Sequence, residues 1–238
     1  MPRLPEHTPQ ISVVLPLFRN AVTLPELYER LRKTLELHEA DFELIFVDDA
    51  CPEDSGRVVL ELATHDERVR LVSLPRNVGQ HSAVLAGLGR ARGTWTAVMD
   101  ADLQDPPEAI PHLLEEATRT GAPIVFAGRR GRYESRFRLL TSRVFKRALA
   151  ALARVPPDAG LFVILARPVV ERLLELDGRR PYVTAMIGCT GFGMVSVPVV
   201  RAARPSGESA YRFRDRLTSA GRAFGWITAW RLRSLRAR

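Results

Sequence analysis

Short apolar runs alternate along this chain with longer stretches whose apolar residues return every three or four positions. Ile11–Leu17 is almost wholly apolar and rich in β-branched residues, the pattern of a strand buried on both faces. Leu24, Leu27, Tyr28, Leu31 and Leu35 then fall at helical spacing, which predicts a helix over Leu24–His38 with Pro25 in its first turn. The same logic predicts strands at Phe42–Val47, Val69–Leu74, Trp95–Met99 and Pro123–Ala127. Between them it predicts helices at Ser55–His65, at His81–Ala91, where the residues are small, and at Pro107–Thr120. Such alternation predicts an α/β fold, a mostly parallel central sheet flanked by helices on both faces. Ligands of such sheets bind beyond the carboxyl ends of the strands. The acidic turns Asp48–Asp54 and Asp100–Asp105 both follow strands, so they are expected to share one cleft.

The second half is less regular. A basic Gly-containing loop at Arg129–Tyr133 precedes a predicted long amphipathic helix, Ser135–Arg154. A strand at Asp158–Leu165, a helix at Pro168–Leu176 and a hairpin or short strands within Gly188–Val200 follow. Arg201–Tyr211 reads as a polar loop and Arg212–Arg238 as a basic helical tail. With no repeat or linker in evidence, the expected organisation is one domain over 1–211 and an amphipathic tail over 212–238.

Composition narrows the setting. The chain has 238 residues with 46% hydrophobic content, enough for a sizeable core. Its two cysteines, Cys51 and Cys189, show no metal or disulfide spacing. No apolar stretch reaches the roughly 18–20 residues that span a bilayer, and Met1–Gln10 lacks the apolar centre of a secretion signal. A cytoplasmic protein is expected, peripheral on the inner face of the cell membrane. The net charge of +8 is carried almost entirely by arginine. That favours anionic partners, since the guanidinium fork matches phosphate, although an Arg-rich codon bias gives the same excess. No nucleic-acid-binding motif is present. Arginines interleaved with Phe224, Trp226, Ile227 and Trp230 in the tail suit a helix lying on an anionic membrane, or one docked on the domain.

Candidate chemistry centres on Asp100-Ala101-Asp102-Leu103-Gln104-Asp105. Two carboxylates one residue apart, where a strand ends, can turn toward one point. They suit a divalent ion that keeps its other positions for phosphate oxygens and water, yet such a triplet alone reads more readily as a solvated acidic turn. Neither a GxxxxGK[ST] nor a GxGxxG phosphate loop is present.

Taken in order, Ile11–Asn20, Val47-Asp48-Asp49 with Asp54-Ser55, Arg76-Asn77-Val78-Gly79-Gln80, Asp100 through Glu108, Asp158–Phe162 and Arg204–Tyr211 resemble family 2 GT-A glycosyltransferases, in particular their polyprenyl-phosphate branch. The resemblance runs to about Tyr211 and implies a single Rossmann-like GT-A domain. It implies an inverting transfer from a nucleoside-diphosphate sugar to polyprenyl phosphate, with a soluble enzyme acting on a small-molecule acceptor as the alternative. On this resemblance Pro16, Phe18, Asn20 and Asp49 would line the nucleotide pocket. Asp100, Asp102 and Gln104 would hold Mg2+ or Mn2+ against the diphosphate, Asp100 also touching the donor. Arg129, Arg138, Ser142 and Arg204 would grip the acceptor phosphate. Asp158 would join Asp102 as a catalytic residue, serving as base if the acceptor is a hydroxyl. Two positions depart from the family pattern: Arg19-Asn20 stands where Asn-Glu is usual, and Ala210 where Lys is frequent. His81, near a predicted helix start, reads as a positional contact before a catalytic one.

Overall fold

The computed structural model describes residues 8–130, 152–176, 181–202 and 225. Their strands form one seven-stranded sheet of order β3-β2-β1-β4-β6-β5-β7. The strands are β1 (Ile11–Leu17), β2 (Phe42–Asp48), β3 (Val69–Ser73), β4 (Trp95–Val98), β5 (Ile124–Arg130), β6 (Val163–Ala166) and β7 (Met194–Val200). Between them run α1 (Leu24–Leu37), α2 (Ser55–Ala63), α3 (Gln80–Leu88), α4 (Ile110–Thr120), α5 (Arg167–Glu175) and α6 (Val183–Cys189). All neighbours pair in parallel except β6, which runs against both β4 and β5.

The two-residue period of the strands feeds a core on each face. Val13, Leu15, Leu44, Phe46, Ala97 and Val125 pack on one side with Leu24, Leu27 and Leu31 of α1 and Ile110 and Leu113 of α4. Val14, Ile45, Val47, Val98, Ile124 and Phe126 pack on the other with α3, α5 and α6. This two-sided burial is why the strands read as continuous apolar runs. At the amino edge, buried Glu43 gathers Ser12 Oγ (2.7 Å), the Arg92 amide (2.8 Å) and the Arg70 and Arg92 guanidinium groups.

Several expectations are corrected. Gly188–Val200 is not a hairpin: its first two residues complete α6, and the single strand β7 follows. The strand expected from Asp158 begins at Val163, and Asp158–Leu161 is a turn-containing approach to it. β5 continues three residues beyond Ala127, so Arg129 lies within a strand, paired with Val199, and not in a loop. The helix expected from Pro107 opens with a single 3-10 turn, Pro107–Ala109. The expected tail 212–238, apart from residue 225, and most of the helix expected over 135–154 lie outside the described residues. Among the described residues no helix is long and apolar enough to cross a membrane.

Candidate active site

The carboxyl ends of β1, β2 and β4, and the loop leading into α3, meet at one edge of the sheet. Parallel pairing sets this up: Leu17 lies opposite Asp48, and Val14 opposite Val98. The turns after β1, β2 and β4 therefore leave the sheet side by side. The expectation of one shared cleft is met.

Pro16 can sit in the middle of the sheet because of this stagger. Leu17 O accepts from the Asp49 amide (3.2 Å) and Val14 O from the Met99 amide (3.2 Å). Alternation thus turns the ring nitrogen of Pro16 toward β4, whose pairing has stopped at Val98. The missing N–H leaves no ladder bond unmade there. Phe18, just beyond, is 39% exposed and opens toward the edge.

Asn20 acts mainly on the backbone. Its Oδ1 accepts from the Phe18 amide (2.8 Å), and its Nδ2 donates to the carbonyl of Ala101 (3.2 Å), the residue between the two aspartates. Thr23 Oγ1 lies 2.8 Å from the same carbonyl. The β1–α1 turn therefore fixes the orientation of the Asp100–Asp102 turn. Leu103, buried and at φ 61, is a non-glycine residue in the left-handed region within that turn. Such a conformation costs about 1–3 kcal/mol and persists only where its surroundings hold it.

Asp49 serves a similar purpose across the cleft. It is 3% exposed, and its two oxygens accept from the amides of Val78 (2.6 Å) and Gly79 (2.9 Å). Burial pushes its carboxyl above the usual value against the pull of those amides, and neighbouring Asp48 adds to the rise. Both oxygens of Asp49, expected among the nucleotide contacts, are thus engaged by the protein's own backbone. Gly79 adopts φ 88, a region closed to most side chains, and the next residue opens α3. The clamp delivers Gln80, whose Nε2 lies 2.5 Å from Asp100 Oδ1. Cys51 lines the neighbouring turn. Burial raises its thiol, but donation from Ser55 and the Arg19, Glu53 and Ser55 amides outweighs this and holds it below the ordinary value.

Asp100 meets a second partner from the far end of the chain. Arg201, directly after β7, places Nη2 3.4 Å from Asp100 Oδ2 and Nε 2.5 Å from Asp105 Oδ1. The Ala202 amide bonds Gln104 O at 2.9 Å, which seats the end of β7 on the acidic turn. Arg201 is largely buried. Desolvation opposes its charge, but Asp105, Asp100 and Asp102 hold it protonated above the ordinary arginine value. Asp102 Oδ1 accepts from the Gln104 amide (3.1 Å), closing a local turn. The other Asp105 oxygen, Oδ2, is buried with no hydrogen-bond partner among the described residues.

This donor set bears on cation binding. Among the described residues, no group of three or more His, Cys, Asp or Glu side chains could hold a metal. The turn offers the Asp100 and Asp102 carboxylates, with Gln104 beside them, while Asp105 is buried against Arg201. Two hard carboxylates without a protein cage fit Mg2+ or Mn2+ shared with phosphate oxygens, and do not fit an ion enclosed by protein ligands.

The remaining expected residues make other contacts or are not described. Asp158 accepts from Ser196 Oγ of β7 (3.0 Å) and packs against the Cα of Gly128, where a side chain would strike its Oδ2. It therefore bridges β5 and β7. His81 Nδ1 accepts from the Val183 amide (3.3 Å) and its ring packs tilted against Tyr182 (centroids 4.5 Å apart), so it docks α6. Arg138, Ser142 and Arg204 lie outside the described residues, and only the backbone of Arg129 is described. Sequence reasoning missed Gln80, Thr23, Asp105 and Arg201. Gln80 and Asp105 lie inside stretches that carry the resemblance, without a role of their own in it, and Gly79 before the helix start marks Gln80 as its first side chain.

Known proteins are similar to this chain in sequence and in fold. The sequence profile of glycosyl transferase family 2 matches residues 12–174. An uncharacterized glycosyltransferase, YkcC, of Bacillus subtilis (strain 168) is 32% identical over 87% of this chain and 65% of its own. Undecaprenyl-phosphate 4-deoxy-4-formamido-L-arabinose transferase of Proteus mirabilis (strain HI4320) is 33% identical over 87% of this chain and 64% of its own. The chain thus spans just under two thirds of the length of these curated relatives. Among solved structures, a mannosyltransferase of Pyrobaculum calidifontis in complex with GDP-Man and Mn2+ superposes with a TM-score of 0.64 at 18% identity. That match covers 96% of this chain and 66% of the other. Glucosyl-3-phosphoglycerate synthase of Mycobacterium tuberculosis in complex with UDP gives 0.67 at 20% identity, over 93% of this chain and 79% of the other. Both share the GT-A arrangement of strands and helices seen here. With its acidic turn at the carboxyl edge of that sheet and a family profile covering most of its length, the chain belongs to glycosyl transferase family 2.

Proposed function

We propose that the protein transfers a sugar, with inversion, from a nucleoside-diphosphate sugar to a polyprenyl phosphate. The observation that carries the reading is the Asp100–Ala101–Asp102 turn. It is held in one orientation from three separate segments: Asn20 with Thr23, Gln80, and Arg201. A turn built only for solvation needs no such fixing. Relatives named as undecaprenyl-phosphate transferases support the acceptor class, and neighbours solved with nucleotide sugars and Mn2+ support the donor and the ion.

The difficult part of such a reaction is departure of a nucleoside diphosphate. A divalent cation held by Asp100 and Asp102, with Gln104 beside them, would stabilise the charge growing on that leaving group, an effect worth several kcal/mol. The chain's own contribution is order. Asn20 and Thr23 fix Ala101, and Gln80 fixes Asp100, so the two carboxylates need not reorganise when the donor arrives. A phosphate acceptor is already anionic near neutral pH and requires orientation more than deprotonation. Arg129, Arg138, Ser142 and Arg204 are proposed to supply that orientation. Asp158, tied to Ser196, is proposed to stand on the acceptor side of the site. The basic, aromatic pattern of 212–238 is proposed to keep the protein at the membrane surface where such acceptors reside.

Thermal-shift screening with UDP-, GDP- and dTDP-sugars tests the donor half. One donor is expected to raise Tm only when Mn2+ or Mg2+ is present, and Asp102→Ala to abolish that rise. A shift that survives the substitution removes the assigned role. Turnover with undecaprenyl phosphate set against hydroxyl acceptors tests the other half, and transfer to the hydroxyl alone overturns the acceptor assignment.

A further inference from the structure

We propose that Arg201 is the built-in counter-ion of the acidic turn, and that it becomes a ligand of the donor's diphosphate when a divalent cation settles on Asp100 and Asp102. The inference rests on the donor-and-cation reading above and adds the residue that balances the site's charge before and after loading.

The two contacts of Arg201 differ in kind. Its Nε sits on Asp105, whose side chain is only 2% exposed, at 2.5 Å. Its Nη2 reaches Asp100 at 3.4 Å, near the limit of a hydrogen bond. The first contact anchors the guanidinium and the second is the one able to yield. Backbone pairing of Ala202 with Gln104 keeps the residue beside the turn whatever its side chain does. A dication between Asp100 and Asp102 repels the nearby guanidinium, and a diphosphate on that dication attracts it. The planar fork, held at Nε and turning about that anchor, matches the oxygens of a diphosphate. Cation alone and cation with nucleotide should therefore respond to Arg201 with opposite signs.

The test uses no turnover. Mn2+ binding to the donor-free protein is followed by electron paramagnetic resonance, and UDP and GDP binding at saturating Mn2+ by calorimetry. Arg201→Gln is expected to bind Mn2+ alone at least about 3-fold more tightly, because a like charge has gone. It is expected to bind the preferred diphosphate about 10-fold or more weakly, through loss of a charge-assisted contact. Unchanged or weaker Mn2+ binding, or unchanged nucleotide binding, overturns the assignment. A general loosening of the fold would weaken both together. If Arg201→Gln melts below the titration temperature, Arg201→Lys decides. That variant keeps the charge and loses the fork, so wild-type Mn2+ affinity with several-fold weaker nucleotide binding is expected, and wild-type affinity for both overturns the assignment. Wild-type protein that binds neither Mn2+ nor nucleotide removes the underlying reading. Binding of both, with Arg201→Gln indistinguishable, removes Arg201 alone.

Discussion

Gln80 and Asp100 are twenty residues apart in sequence and one hydrogen bond apart in space. An outer partner of this kind sets which way a ligating carboxylate points, and losing one typically costs 10–100-fold in metal affinity. Gln80→Leu should therefore weaken Mn2+-dependent nucleotide binding by about that factor while Tm moves little; calorimetric titration with UDP or GDP measures it. Asp49 makes the contrasting case. Asp49→Ala leaves the Val78 and Gly79 amides without their acceptors and should cost about 2–4 kcal/mol in chemical denaturation, with Asp49→Asn recovering part of the loss. Side chains at this scale were only partly legible in the sequence. Asp100 and Asp102 stand out because the ordered motifs around them turn an otherwise ordinary acidic triplet into a candidate site. Asn20 and Asp49 lie beside the acidic turns, but their bonds to Ala101, Val78 and Gly79 run to backbone groups far away in sequence, which no local spacing reveals. Arg201 was hidden among many arginines, and its acidic partners lie about a hundred residues earlier.

The elements were read well wherever a periodicity ran its full length, as in α1 and the buried strands. Gly188-Cys189-Thr190-Gly191-Phe192-Gly193 misled because glycines beside β-branched residues imitate the signals of a hairpin. Gly188 is in fact helical, and bare because a Cβ there would run into the carbonyl of Ala153. The composition of α3 has a similar cause. At Gly87 a Cβ would collide with Val14 Cγ1 and come within 2.9 Å of Val47 Cγ2, so the helix lies close on β1 and β2. Gly87→Ala should destabilise by about 1–3 kcal/mol through overpacking, despite a gain of up to about 1 kcal/mol in helix propensity. A urea midpoint that rises would refute this close-packing account of α3.

Over the whole molecule, the sheet separates two polar clusters: the acidic turn at its carboxyl edge and the Glu43 cluster at its amino edge. Burial works to raise the Glu43 carboxyl, but Ser12, the Arg92 amide and the Arg70 and Arg92 side chains together hold it below its usual value. A carboxyl whose folded value is depressed stabilises the fold fully above its unfolded pKa, about 4.3, and loses that contribution as pH falls through the folded value. Tm should be flat from neutral pH to about 5 and fall below about 4, and Glu43→Gln should flatten part of that fall. Equal acid sensitivity in wild type and variant would show that other carboxylates govern it.

The pairing of Arg201 with Asp105 spans 96 positions of chain. During synthesis the aspartates leave the ribosome well before the arginine that offsets them, and the ladder that seats that arginine is β7, the edge strand. A nascent chain that has not yet added β7 therefore holds Asp100 and Asp105 without the guanidinium that bridges them. Charge neutralisation and completion of the sheet are the same event, so a chain halted before residue 201 would hold the acids of the pocket without their ballast.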